Sequence, residues 1–332
     1  MNTSKRIHSY DFFQGVLATG LIFVMTFLQL NFLELEIFYR WAGLGFVFFS
    51  GLLIGEVFIK NKSHLFFIKR GIQIFALFLT INFLIFFSKF SLNFSQILEI
   101  PDLWKDFSFS VIKGDYRLIS HLLLPLSLLF FSIPILRYIP SFLGFFWAIL
   151  GFVLFDIIAL EKGVFYINIF FLLAGILGFF TGRFFSLDRA RLYFHKKFSA
   201  LPYIFLYIAI AILTLGNTIE SSFIAHFNFF WSFHFLVMIL LYLSLPSLLF
   251  SGEQRKPALR KFFETLGVEM LFIYIFTTLS LEAISFLFPS LSGFHPFILA
   301  IHLVILSFGI VVIIRKTLFK SKKFKKCFRF LF

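Results

Sequence analysis

A single cysteine, Cys327, stands in 332 residues, so the chain can form no internal disulfide framework and no cysteine-based metal site. Charge is scarce as well. Asp, Glu, Lys and Arg together make up 14% of the chain, against about a quarter in an ordinary soluble domain. Carboxylates are the scarcest group, with 16 Asp and Glu beside 30 Lys and Arg. So little polar surface excludes the soluble globular class. What takes its place is apolar: 60% of residues are hydrophobic and the mean hydropathy is +0.96, which predicts a membrane protein. The 59 Phe residues fit lipid-facing positions as Leu would, and codon bias explains their excess better than ligand cages do.

Apolar runs of the ~20 residues needed to cross a bilayer begin and end at roughly 12 to 30, 41 to 59, 66 to 87, 118 to 138, 142 to 160, 164 to 182, 200 to 216, 229 to 250, 268 to 288 and 294 to 314. The fold class expected is therefore all-α, a polytopic membrane helix bundle of about ten transmembrane helices. Residues 1–314 form one transmembrane domain and 315–332 a basic tail. The first run follows Lys5 and Arg6 as a signal peptide would. It is too long and has no small-x-small cleavage site, so it reads as a retained helix.

The basic residues orient the bundle. Lys and Arg concentrate in cytoplasmic segments of membrane proteins. With ten spans, 24 of the 30 fall in, or at the span ends beside, the two terminal segments and the even-numbered loops, leaving Arg40, Lys89, Lys105, Lys113, Arg117 and Lys162 outside. Both termini are then expected to be cytoplasmic. The net charge of +14 becomes a topology signal and speaks against a nucleic-acid partner. The run from Arg315 to Arg329, interleaved with Phe, suits anionic lipid.

Ionisable groups inside lipid are costly, so those within spans mark helix contacts or cavities. His302 lies about 12 Å into the tenth run at 1.5 Å per residue, too deep to meet headgroups easily. His121 opens the fourth run close behind Asp115 and Arg117. Tyr274, Thr278 and Glu282 recur every fourth residue and share one helix face, either as a hydrogen-bonded packing seam or as the wall of a site. At the inner ends, Asp11, Gln14, Glu56, Lys69, Arg70 and Glu269 all fall at one depth. Lys69 and Arg70 opposite carboxylates suit the phosphates of a donor, although topology explains those two cations equally well. Gly51-x-x-x-Gly55 and Gly178-x-x-x-Gly182 predict close helix contacts. Trp104, beside Pro101 in the long segment from Ser88 to Arg117, reads first as a headgroup-level anchor.

Four patches, in order, resemble the acyltransferase 3 superfamily of multi-pass membrane acyltransferases, which includes glucan-modifying succinyltransferases and relatives of heparan-glucosaminide acetyltransferase. They are Arg6 to Gly15, containing Asp11-Phe12-Phe13-Gln14-Gly15; Gly45 to Gly55 with the basic Lys69-Arg70-Gly71 that follows; Ile119-Ser120-His121 running to Pro134; and Phe263 to Tyr274. Gln14 stands where the family carries a second Arg, and Met25 and Thr277 stand where it often carries His. The resemblance implies transfer of an acyl group from cytoplasmic acyl-coenzyme A to a hydroxyl of an extracytoplasmic or lipid-linked carbohydrate, in the inner membrane. A His would then serve as general base or acyl carrier and a cation would hold the donor. On that pattern His302, His121 and Tyr274 are the candidate catalytic residues. Asp11, Gln14, Lys69, Arg70 and Glu282 are the candidate substrate-binding ones, with acyl-CoA as donor and no metal. The expected partners are membrane lipids and the glycan acceptor, with no nucleic acid. The alternative is an acyltransferase-like protein without catalysis, or a transporter, that binds or moves a lipid-linked glycan.

Overall fold

The computed structural model describes residues 8–29, 36–90, 122–162, 167–184, 258–287, 295–317 and 321. Every regular element among them is helical. In chain order they are α1 (His8–Gln29), α2 (Glu36–Leu53), a π-helical turn (Ile54–Phe58), the single turn α3 (Ile59–Asn61), α4 (His64–Phe90), α5 (Leu123–Leu136), α6 (Ser141–Lys162), α7 (Ile167–Phe184), α8 (Ala258–Val268), α9 (Met270–Leu287) and α10 (Pro296–Lys316). The expected runs at 200 to 216 and 229 to 250 lie outside the described residues, as does most of the basic tail.

Among the described residues, three stretches, Gly43–Asn61, His64–Phe83 and Pro296–Lys316, are long and apolar enough to cross a membrane. A fourth is reached if Lys261–Val268 and Met270–Ile284 form one span, bent by 81°. Several buried hydroxyls of the helices are satisfied locally, although those of Thr277 and Ser307 make no hydrogen bond. Ser50, Thr26, Thr181 and Thr278 each donate their hydroxyl to the carbonyl four residues back, at 2.7 to 2.9 Å, as a helix in an apolar medium requires. Large apolar side chains are left outward on α4, α6 and α10, among them Ile72, Phe146, Trp147 and Ile305. Large apolar side chains left outward on several helices are out of place in water and ordinary against lipid.

Glycine decides how the helices meet. A Cβ on Gly51 would strike the Gly175 carbonyl, one on Gly55 the Phe179 carbonyl, one on Gly178 the Phe48 carbonyl and one on Gly182 the Leu52 carbonyl. The two small-residue motifs therefore face each other, and α2 crosses α7 with backbone against backbone, as their spacing predicts. A second crossing of the same kind joins α1 to α8: a Cβ on Gly15 would strike the Phe263 carbonyl and one on Gly267 the Asp11 carbonyl. Phe48, Phe49, Phe170, Phe171, Phe179 and Phe180, all fully buried, fill the space beside the α2–α7 crossing.

The basic segments share one end of the bundle. Arg137, after α5, donates to the Lys62 carbonyl before α4 at 3.4 Å. Arg183, closing α7, donates to the carbonyls of Leu136 and Ile139 at 3.2 and 2.9 Å. Arg315, near the end of α10, pairs with Glu269 at 3.2 Å. That segregation is what the charge distribution of the sequence predicts for one face of a membrane.

Candidate functional site

The same end holds a cavity of about 520 Å³. Its walls come from five places along the chain. α1 gives Gln14; α2 and the π turn give Phe46, Ser50, Leu53, Ile54 and Phe58; α4 gives Phe66, Lys69, Arg70, Gln73 and Ile74; α5 gives Leu126 and Phe130; and the α8–α9 junction gives Gly267 to Phe272. Most of the wall is apolar, and its polar side chains are Gln14, Ser50, Lys69, Arg70, Gln73 and Glu269.

The junction is a broken helix. The Glu269 N–H bonds to the Leu266 carbonyl at 3.2 Å, a turn closed one residue early, and the Glu269 carbonyl accepts the first bond of α9, from Ile273, at 2.9 Å. Gly267, in the last turn before the break, lets α8 seat against the Asp11 backbone of α1, where a Cβ would not fit. Breaking there turns the start of α9 toward the cavity, and the N-terminus of a helix carries partial positive charge. Glu269 sits at that terminus and is held from the other side by Arg315.

Arg70 is half-buried and donates to Gln73, one turn further along α4, at 3.4 Å. Lys69 is exposed at the edge. Two cations, an amide from Gln14, an amide from Gln73 and the Ser50 hydroxyl thus border an aromatic and aliphatic chamber. The Ser50 hydroxyl is already committed to the Phe46 carbonyl at 2.8 Å. Such a chamber takes a ligand with an anionic end and an apolar body.

The residues singled out in the sequence separate into two groups. Gln14, Lys69 and Arg70 come together in the cavity wall with Glu269, and Asp11 lies half-buried at the α1–α8 crossing beside it. Glu56, in the π turn, is buried. The others stand apart. Tyr274 is buried one turn beyond the cavity, its ring 6.0 Å from that of Phe46, which does line the wall. Glu282 is half-buried two turns further on. His302 is exposed on α10, where its Nδ1 lies 2.7 Å from the Ile298 carbonyl. A carbonyl only accepts, so Nδ1 carries the proton and Nε2 is the basic nitrogen of the neutral ring. His121 lies outside the described residues.

The two positions at which the family often carries His are both deep in the core. Met25 is buried, and Thr277 is fully buried with its hydroxyl making no hydrogen bond. Sequence reasoning missed Phe58, Phe66 and Gln73 as wall residues, and Arg315 as the partner of Glu269. The chain matches no protein-family model, no curated protein and no solved structure.

Proposed function

We propose that the chain is a multi-pass acyltransferase of the acyltransferase 3 kind, embedded in the cytoplasmic membrane with both termini inside. It takes an acyl group from acyl-coenzyme A at the cavity and passes it to a hydroxyl of an extracytoplasmic or lipid-linked carbohydrate. One observation carries this reading: all four patches that resemble the superfamily contribute to one cavity, and of its described wall only Phe58, Phe66, Gln73 and Ile74 come from elsewhere. Scattered resemblance by chance has no reason to converge in space.

The division of labour follows from the walls. Lys69 and Arg70 hold phosphate oxygens at the rim, Arg70 by a fork that suits them. Gln14 adds a neutral donor where the family has a cation. A cavity of about 520 Å³ admits the acyl and thioester arm of the donor and leaves the nucleotide at the exposed edge by Lys69. The base that deprotonates the acceptor hydroxyl falls to His121 or His302; His302 stands outside the cavity wall, exposed on α10, so it serves only an acceptor that approaches from that face, through Nε2.

A specific observation also favours a second reading, a binder or carrier of a lipid-linked glycan without catalysis. No described wall residue is a histidine, and the broken helix at Glu269 is a device found at the binding sites of transporters. One experiment separates the two. Purified protein is titrated with acyl-coenzyme A, then supplied with labelled donor and a glycan acceptor. Saturable binding, turnover, and loss of turnover in the His302→Ala and His121→Ala double variant support the enzyme. Binding of glycan without turnover supports the carrier. An enzyme that keeps full activity in that double variant removes both histidines from the mechanism. In cells, surface-glycan acylation that disappears with the gene is the corresponding expectation.

A further inference from the structure

Beside the cavity, on the same end of the bundle, Lys60, Lys62, His64, Arg137 and Arg183 gather where the turns before α4 and after α5 meet the end of α7. The contacts that hold them are to carbonyls and rings. Arg183 caps α5 through the Leu136 and Ile139 carbonyls, and Arg137 ties the two turns together through the Lys62 carbonyl. The His64 ring stacks on Tyr138, 5.8 Å apart and 9° from parallel, and Lys62 Nζ stands 5.0 Å from the centre of the Phe66 ring. None of these four Lys and Arg side chains is ion-paired with a carboxylate among the described residues. Arg137 and Arg183 are close enough to repel each other.

Charges that serve only to orient a chain in a membrane need no fixed positions. Here two guanidiniums are half-buried and anchored, each with donors left over after its carbonyl bonds. The rim of the patch is apolar: Leu65, Ile135 and Phe142 are 64%, 73% and 67% exposed, and Tyr138 is 78% exposed. Positive groups fixed at the edge of a hydrocarbon-facing surface match an anion that carries its own acyl chains. We infer that this patch binds the phosphodiester headgroup of an anionic membrane phospholipid, with Arg137 and Lys62 as its principal donors and Tyr138 and Phe142 against the acyl chains. This requires that the apolar helices lie in a bilayer, and it holds whichever ligand the neighbouring cavity takes.

The test uses the full chain in phosphatidylcholine bilayers with spin-labelled phosphatidylglycerol or spin-labelled phosphatidylcholine as probe. The expected result is a several-fold preference for phosphatidylglycerol, lost by at least half in Lys60→Gln/Lys62→Gln and in Arg137→Gln. Lys261→Gln, on another exposed helix face, should leave it unchanged. The Lys60/Lys62 double variant keeps the carbonyl contact from Arg137, so its result does not depend on the fate of that contact. Free glycerol 3-phosphate should not displace the labelled lipid. Displacement would assign the patch to a soluble phosphate and overturn the lipid assignment. Equal retention of both labelled lipids by the wild-type protein, or an undiminished preference in the double variant, overturns the site.

Discussion

Two basic clusters share one end of the bundle and are built on opposite principles. At the cavity, Lys69 and Arg70 border a chamber of Phe, Leu and Ile, and the carboxylate nearest its rim, Glu269, is balanced by Arg315. At the outer patch, Lys62, Arg137 and Arg183 have carbonyls and rings for company and, among the described residues, no counter-charge. An enclosed cluster with a shaped apolar wall discriminates among ligands by size and fit. An open one reads little besides charge. The first should thus depend on single side chains and the second on their sum.

The comparison breaks most severely if the cavity itself is removed. Gly267→Ala forces a Cβ into the Asp11 backbone, an overpacking that costs about 1 to 3 kcal/mol, and it should abolish ligand binding at the cavity. Gly20→Ala is the control, since a Cβ there meets nothing within 4 Å and replacing a helical glycine gains up to about 1 kcal/mol. Thermal unfolding followed by size-exclusion chromatography reads both. Next in size is Arg70→Gln, which deletes hydrogen bonds to a charged ligand worth about 1.5 to 3 kcal/mol. Donor affinity should fall at least tenfold by titration, and Lys62→Gln should leave it unchanged. Equal losses from the two substitutions would merge the clusters into one site.

Salt sharpens the contrast further. Raising ionic strength from 0.1 to 1 M shortens the screening length from about 10 to 3 Å, so lipid preference at the open patch should approach one while affinity at the half-buried Arg70 falls less. The smallest effect belongs to Arg315→Gln. Its partner Glu269 is 14% exposed and Arg315 itself 28%, so the pair lies near the surface range of up to about 1 kcal/mol. A shift in melting temperature of a few degrees is expected. Unchanged stability together with weakened donor binding would instead make Arg315 a positioning residue for the cavity.

How much of this the sequence carried depended on which force was at work. Hydropathy alone located α2, α4 and α10, because a long apolar run has few alternatives to a helix in lipid. The facing glycines of α2 and α7 were legible as motifs, and the structure supplied the pairing. The inner rim of Gln14, Lys69, Arg70 and Glu269 was legible because charges at span ends share a depth. The amphipathic α8 was not foreseen, since Arg260, Lys261 and Glu264 break the apolar run along the sequence and read as loop. The facing of His302 was equally hidden: α10 is apolar all round, so its periodicity gives no direction. Depth along a helix can be counted, whereas azimuth needs a neighbour.

The π turn at Ile54–Phe58 ties the two clusters together. Phe46, Ser50, Ile54 and Phe58 line the cavity at every fourth position, yet an α-helix rotates about 100° per residue, so such a stripe drifts by about 40° at each step. Three steps would carry Phe58 off the cavity wall. The wider turn winds more slowly and returns it, while Gly51 and Gly55 keep their seat on α7. The turn is a phase joint: deleting one residue within it would rotate everything that follows by about 100°, and Lys60 and Lys62 would leave the lipid patch as Phe58 left the cavity.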